Sequence, residues 1–117
     1  MTVIAAGAYT VDVAEDQQGR EVTVSGRLDV HTVADVRQQL HRVVDSGEGD
    51  LLLHLGHAEV GDATGLGVIV GAHNRARRAG RRLVLVDTSP RLERLLRASR
   101  LSRVLARSDA PAAPLTA

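Results

Sequence analysis

Apolar and polar positions alternate along two short segments near the start of the chain. Tyr9, Val11 and Val13 interleave with Thr10, Asp12 and Ala14, and Val22 and Val24 interleave with Thr23 and Ser25 beyond a polar Asp16-Gln17-Gln18-Gly19 turn. A period of two is that of a strand with one buried face, so the pair predicts a half-buried β-hairpin, which Gly26 ends. The period then changes. Val33, Val36, Leu40, Val43 and Val44 recur at steps of three and four, which predicts an amphipathic helix. Thr32 is placed as its N-cap, Asp35 completes a variant of the capping box, and Gly47 and Gly49 provide the stop.

Leu51-Leu52-Leu53-His54-Leu55 is a nearly continuous apolar run, as expected of a central strand covered on both faces. A second helix is predicted from Asp62–Thr64 to near Ala79, with Leu66, Ile69, Val70, His73 and Ala76 toward the core and Gly80 as its stop. Leu83 to Val86 reads as another buried strand. Ser89 followed by Pro90 is an N-cap with proline in the first turn, opening a third helix through Leu92, Leu95 and Leu96 to near Ser99. Leu101 to Leu105 supplies a short terminal strand or turn, and the segment from Ala110 is a low-complexity tail. Hairpin, helix, strand, helix, strand and helix in that order imply an α/β sandwich, a mixed sheet of four to five strands with three main helices packed on it. The expected division is a lead at 1–8, one domain at 9–107 and a flexible tail at 108–117.

The chain has 117 residues, 44 % apolar and 25 % charged, which suits one ordinary globular core. No apolar run approaches the roughly 18 residues of a membrane helix, and the start lacks a charged leader, so a cytoplasmic protein without membrane contact is expected. The absence of cysteine excludes disulfide scaffolds, thiolate metal sites and cysteine nucleophiles. With Tyr9 as the sole aromatic residue, a stacking platform for single-stranded nucleic acid is excluded too. The net charge of +1 conceals a division: residues 1–62 hold 4 Arg against 11 acidic residues, and residues 63–117 hold 11 Arg against 3.

Several patterns invite a chemical reading and fall short of one. Gly65-Leu66-Gly67-Val68-Ile69-Val70-Gly71 opens a helix but has the wrong glycine spacing for a dinucleotide and no lysine for a phosphate loop, so its glycines are read as letting helix and strand approach closely. Of the histidines 31, 41, 54, 57 and 73, only His54 and His57 are spaced for shared ligation, and two ligands do not make a zinc site. No GxSxG elbow supports a serine triad. Arg75, Arg77, Arg78, Arg81 and Arg82 crowd the end of the second helix; without a DNA-reading motif they are read as a solvated face at a helix C-terminus, compatible with an acidic protein partner. No cofactor, metal or direct nucleic-acid contact is expected.

The strongest signal is Asp62-Ala63-Thr64-Gly65-Leu66-Gly67 at a helix start. Together with Gly26-Arg27-Leu28-Asp29-Val30-His31-Thr32 before the first helix and the segment Arg82 to Arg91 around the last long strand, it resembles a STAS domain of the anti-sigma-factor-antagonist type over roughly residues 9–107. The resemblance implies a bacterial switch protein without catalytic activity, a monomer or weak homodimer. Such a protein binds an anti-sigma factor, commonly a serine-protein kinase, and so frees a sigma factor for transcription. It further implies a partner-binding surface at Asp29, Thr32, Asp62, Ala63, Thr64, Gly65, Leu66 and Gly67. In that family a serine directly after the Asp accepts phosphate. Ala63 stands at that position and has no oxygen to modify, so Thr64 has taken over as acceptor, or binding is constitutive, or the alanine is an engineered non-phosphorylatable substitution; read from the residues alone, Thr64 is a capping hydroxyl. Two further departures are His54, where the family often has Asp, and Gly61, where an apolar residue usually precedes the Asp. The competing expectations are a STAS scaffold subunit of a larger sensory complex and an anion- or nucleotide-binding module.

Overall fold

In the computed structural model, which describes residues 2–6, 9–16 and 19–108, the two alternating segments pair as expected. They are strands β2 (Tyr9–Glu15) and β3 (Glu21–Leu28), antiparallel, with Val13 opposite Val24. Val13, Val22 and Val24 are buried, as the period of two requires; the side chains of Tyr9 and Val11 lie outside the described residues. The lead contributes a strand of its own, β1 (Thr2–Ala6), antiparallel to β2. Thr-Val-Ile-Ala-Ala has no apolar–polar alternation, which is why the pattern gave no strand there. Gly26 does not end β3. It takes φ +105 within the strand, and its N–H donates to the His57 carbonyl at 3.0 Å, so pairing continues to Leu28.

The chain then forms helix α1 (Val33–Ser46), strands β4 (Leu51–His54) and β5 (Ala58–Val60), helix α2 (Ala63–Arg78), strand β6 (Leu83–Val86), helix α3 (Pro90–Ala98), a 3-10 turn (Leu101–Arg103) and strand β7 (Ala106–Arg107). The sheet has seven strands rather than four to five, in the order β1-β2-β3-β4-β6-β7, with β5 also pairing β3. The β1–β2–β3 pairings are antiparallel and the remainder parallel, the mixed sheet that hairpin and crossovers imply. β4 and β5 pair with successive lengths of β3, Glu21–Thr23 and Gly26–Leu28, across the Gly56-His57 turn. Three residues are too few for a periodicity to reveal, so β5 escaped the sequence pattern. Of the two alternatives for Leu101 to Leu105, the structure shows the turn, and the short strand β7 follows it; the tail beyond Ser108 lies outside the described residues.

One core joins Val22, Val24, Leu51, Leu53, Leu83 and Leu85 of the sheet with Val36, Leu40, Val43 and Val44 of α1 and Leu66, Ile69, Ala72 and Ala76 of α2. Each large side chain so buried stabilises the fold by about 1.5–3 kcal/mol. Val70, expected inward, is half-buried; Val68 and Ala72 complete the stripe instead.

The helix ends divide between expected and unexpected caps. Ser89 caps α3, its hydroxyl accepting from the Leu92 N–H at 3.1 Å with Pro90 following. Thr32 does not cap α1. Its hydroxyl donates to the Arg27 carbonyl at 2.7 Å and accepts from the Asp29 N–H at 3.2 Å, so no capping box with Asp35 forms. Arg81 departs from the expected solvated arginine face: it is 5 % exposed, and its guanidinium donates to the carbonyls of Gly19, Val43, Val44, Glu48 and Gly49. It thereby satisfies orphan carbonyls at the end of α1 and ties three loops together. Burial lowers its pKa below the ordinary arginine range, with Asp16 and Glu48 opposing that shift.

Candidate functional site

Because β3, β5 and β6 run parallel through the sheet, the loops leaving their C-terminal ends gather at one end of it. This edge is where an α/β sheet ordinarily presents its binding groups. The loop after β3 carries Asp29, the one after β5 carries Asp62, and the one after β6 carries Ser89 and leads to Arg91.

Asp62 is in extended conformation and caps α2, its Oδ1 accepting from the N–H groups of Thr64 at 3.0 Å and Gly65 at 3.2 Å. The capping role thus falls to the aspartate and not to the Thr64 hydroxyl, which has no hydrogen bond among the described residues. Asp62, Ala63, Thr64 and Gly67 are all exposed, whereas Gly65 and Leu66 are buried. Gly65 has a steric reason: a Cβ there would lie 2.9 Å from the Leu28 carbonyl oxygen and 3.2 Å from Val60 Cγ1. The close approach of α2 to the sheet therefore rests on Gly65. At Gly67 and Gly71 a Cβ would meet nothing within 4 Å, so the close-packing expectation does not extend to them.

Asp29 is held on three sides. Its Oδ1 accepts from the His31 N–H at 2.8 Å, its Oδ2 lies 3.5 Å from Arg27 Nε, and its backbone N–H donates to the Thr32 hydroxyl. Thr32 is fully buried, so its place among the surface residues is corrected to that of a support that fixes the Asp29 turn. Asp29 and Asp62 line one cleft of ≈ 610 Å³ together with Arg27, His57, Glu59 and Arg91. The Arg91 guanidinium occupies the space beside Gly61, 3.1 Å from where a Cβ would stand. Gly61 thus makes room for an arginine at the rim. Arg27 and Arg91 fall within the segments that carry the resemblance, yet neither was singled out as a site residue, since their place on one rim appears only on folding. Val30, 73 % exposed next to Asp29, was also passed over, though an apolar residue in a polar turn was its signal.

The remaining candidates lie apart from this edge or apart from each other. His54 is half-buried, with Nε2 2.8 Å from Glu21 Oε1 and Nδ1 3.8 Å from Asp87 Oδ2; His57 is exposed in the cleft wall, and the two share no site. Among the described residues no group of three His, Asp or Glu side chains is placed to hold a metal ion. Arg75 pairs with Asp45 at 2.6 Å and Arg82 with Asp50 at 2.7 Å, across the acidic and basic halves of the sequence. No described helix is long and apolar enough to cross a membrane.

The family model for the STAS domain matches residues 10–112. The chain is 34 % identical over 85 residues to an anti-sigma-B factor antagonist of Bacillus subtilis, covering 73 % of this chain and 77 % of that protein. It is 32 % identical over 85 residues to an anti-sigma F factor antagonist of Paenibacillus polymyxa, covering 72 % and 73 %. In structure it is similar to an anti-sigma factor antagonist from Mycobacterium paratuberculosis, with TM-score 0.74, 19 % identity and 91 % and 92 % of the two chains covered. It is also similar to the antagonist SpoIIAA in its unphosphorylated form, with TM-score 0.66, 18 % identity and 84 % and 87 % covered. Sequence and fold agree, and the chain belongs to the STAS domain family.

Proposed function

We propose that this protein is an anti-sigma factor antagonist, a binding protein that captures an anti-sigma factor of the serine-kinase type and so releases a sigma factor for transcription. The single observation that carries the reading is the exposed N-terminus of α2, where Asp62 is fixed as the cap and Ala63 and Thr64 stand open to a partner. Relatives that are 32–34 % identical carry the name antagonist, which supports the same reading. The docking surface comprises the Asp29 turn, Asp62, Ala63, Thr64 and Gly67. Thr32, Gly65 and Leu66 hold it in shape from beneath. No chemistry is asked of the protein itself; it acts as a monomer or weak homodimer.

Phosphate would add about −1.5 to −2 charge beside Asp62 and oppose docking by repulsion and desolvation. Ala63 cannot receive it, so the complex is constitutive unless Thr64 has become the acceptor. The test is incubation with the anti-sigma kinase of the source cell and Mg-ATP, followed by mass spectrometry and a binding assay. A stable complex with unmodified protein is expected, and Ala63→Ser is expected to gain phosphate at residue 63. Phosphate on Thr64 of the wild-type chain would show that the switch has moved by one residue. Absence of any complex would overturn the reading.

A further inference from the structure

An arginine recurs at every third position through Arg91, Arg94, Arg97, Arg100 and Arg103. The last three converge with Ser102 around a cleft of ≈ 460 Å³ at the corner where α3 meets the 3-10 turn. We infer that this corner is a binding site for a compact phosphoryl anion, an oligophosphate chain carrying several negative charges.

Three observations point there. First, Arg97, Arg100 and Arg103 are exposed and have no carboxylate partner among the described residues, whereas Arg75, Arg82 and Arg107 are each paired with Asp45, Asp50 and Glu93. Like charges gathered without a counter-ion repel one another, and an anion between them removes that repulsion. Second, the arginines are not needed to cap the helix. The Ser99 hydroxyl donates to the carbonyls of Leu95 at 2.7 Å and Leu96 at 3.3 Å, and the Arg100 N–H donates to the Arg97 carbonyl at 3.1 Å. Third, Arg100 is left-handed, φ 64 and ψ 17, a conformation that ordinarily selects glycine or asparagine. A long cation held there against backbone preference points to a use for its head group.

The corner is also rigid. Leu96 and Leu105 are buried on either side of it and Leu101 packs against the core, so the guanidinium groups project from a fixed base. Their planar forks match phosphoryl oxygens, and Ser102 adds a hydroxyl donor. Among the described residues no aromatic side chain lines the cleft, so recognition rests on the phosphate chain and not on a base.

The experiment is an NMR titration of the full chain with sodium tripolyphosphate against sodium chloride of equal ionic strength. Saturable shifts centred on the amides of Arg97 to Val104 are expected, with Arg103→Gln weakening affinity about tenfold. Arg100→Gly relieves the left-handed residue while removing the cation, so a variant that stays folded and loses binding separates the site from the fold. Arg77→Gln, on α2, is expected to leave the affinity unchanged. Vesicles containing phosphatidylglycerol distinguish the source: sedimentation lost in Arg100→Gly assigns a lipid headgroup, and tripolyphosphate binding without sedimentation assigns a soluble ligand. Shifts that never saturate and spread equally over Arg77 and Arg78, or affinity unaltered in Arg100→Gly and Arg103→Gln, would overturn the proposal.

Discussion

Asp62 does two jobs through different atoms and charges, and substitutions separate them. Its Oδ1 holds two N–H groups of α2, while its negative charge stands at the exposed edge proposed for docking. Asp62→Ala is expected to cost about 1 kcal/mol in urea unfolding, the usual value of a lost N-cap. Asp62→Asn keeps an oxygen acceptor and should cost only a few tenths, yet it removes the charge. Partner affinity that falls in both variants, with stability lost in only one, is the expected result. Arg81 shows the opposite balance, a charged residue with a purely architectural place. Replacing it with leucine strands several buried carbonyls and should destabilise the fold by about 3 kcal/mol without altering contacts at the docking edge. The sequence placed Arg81 on a solvated face because burial of one arginine among five cannot be read from spacing. Asp62 was legible because the residues around it form a motif, whereas Arg91 was not, since its relation to Gly61 spans thirty positions of chain and appears only on folding.

At the scale of elements, the packing of α1 against α2 carries the pH response. His41 of α1 and His73 of α2 each have a ring nitrogen buried without a hydrogen-bond partner among the described residues. Desolvation lowers the pKa of His41 from 6.5, with Arg75, Arg37 and Arg78 adding to the effect and Asp45 opposing it. Desolvation also lowers that of His73, with Arg77 contributing. A lowered folded-state value means that the unfolded chain takes up protons first, so stability is unaffected above pH 6.5 and falls as pH drops below it. The Asp45 carboxyl, lowered from 3.8 chiefly by its hydrogen bond from Arg75, responds only in a more acidic window. Denaturant midpoints measured from pH 7.5 to 5 should therefore decline, and the double variant His41→Gln, His73→Gln should flatten that decline. The three helices, β4 and β6 were legible in the sequence because each presents a period or an unbroken apolar run. β1 and β5 were not, since one lacks alternation and the other is three residues long. Thr32 misled for a physical reason: a threonine before an apolar run satisfies the cap pattern, but its hydroxyl is drawn to the Arg27 carbonyl in the folded turn.

Across the whole molecule, folding partly cancels the division between an acidic first half and a basic second half. The pairs Asp45–Arg75 and Asp50–Arg82 join the halves, although exposed pairs of this kind stabilise by only about 0–1 kcal/mol each. What folding leaves behind is uneven: carboxylates of Asp29, Glu59 and Asp62 share the proposed docking cleft with Arg27 and Arg91, and the arginines at the far end of α3 have no carboxylate partner among the described residues. With three carboxylates against two arginines, this edge predicts only weak electrostatic steering, screened beyond a Debye length of about 10 Å at 0.1 M salt. The association rate with the proposed anti-sigma factor should therefore fall only slightly as salt rises, and a steep salt dependence would place the contact on a more highly charged face. The overall mixed sheet with three helices was legible from element order alone. The gathering of Asp29 and Asp62 into one cleft required the parallel pairing of β3 with β5, which no local pattern specified.

The most direct measurement is a calorimetric titration of the anti-sigma factor with the wild-type chain and with Ala63→Glu. A glutamate at the first position of α2 is favourable for the helix by about 0.3–1 kcal/mol, so the variant should be no less stable than the parent. The account predicts a one-to-one complex for the wild type and at least a tenfold weaker one for Ala63→Glu, because the added charge stands in for the phosphate that Ala63 cannot carry. Equal affinity of the two proteins would place the partner elsewhere on the domain and contradict the claim that α2 docks by its N-terminus.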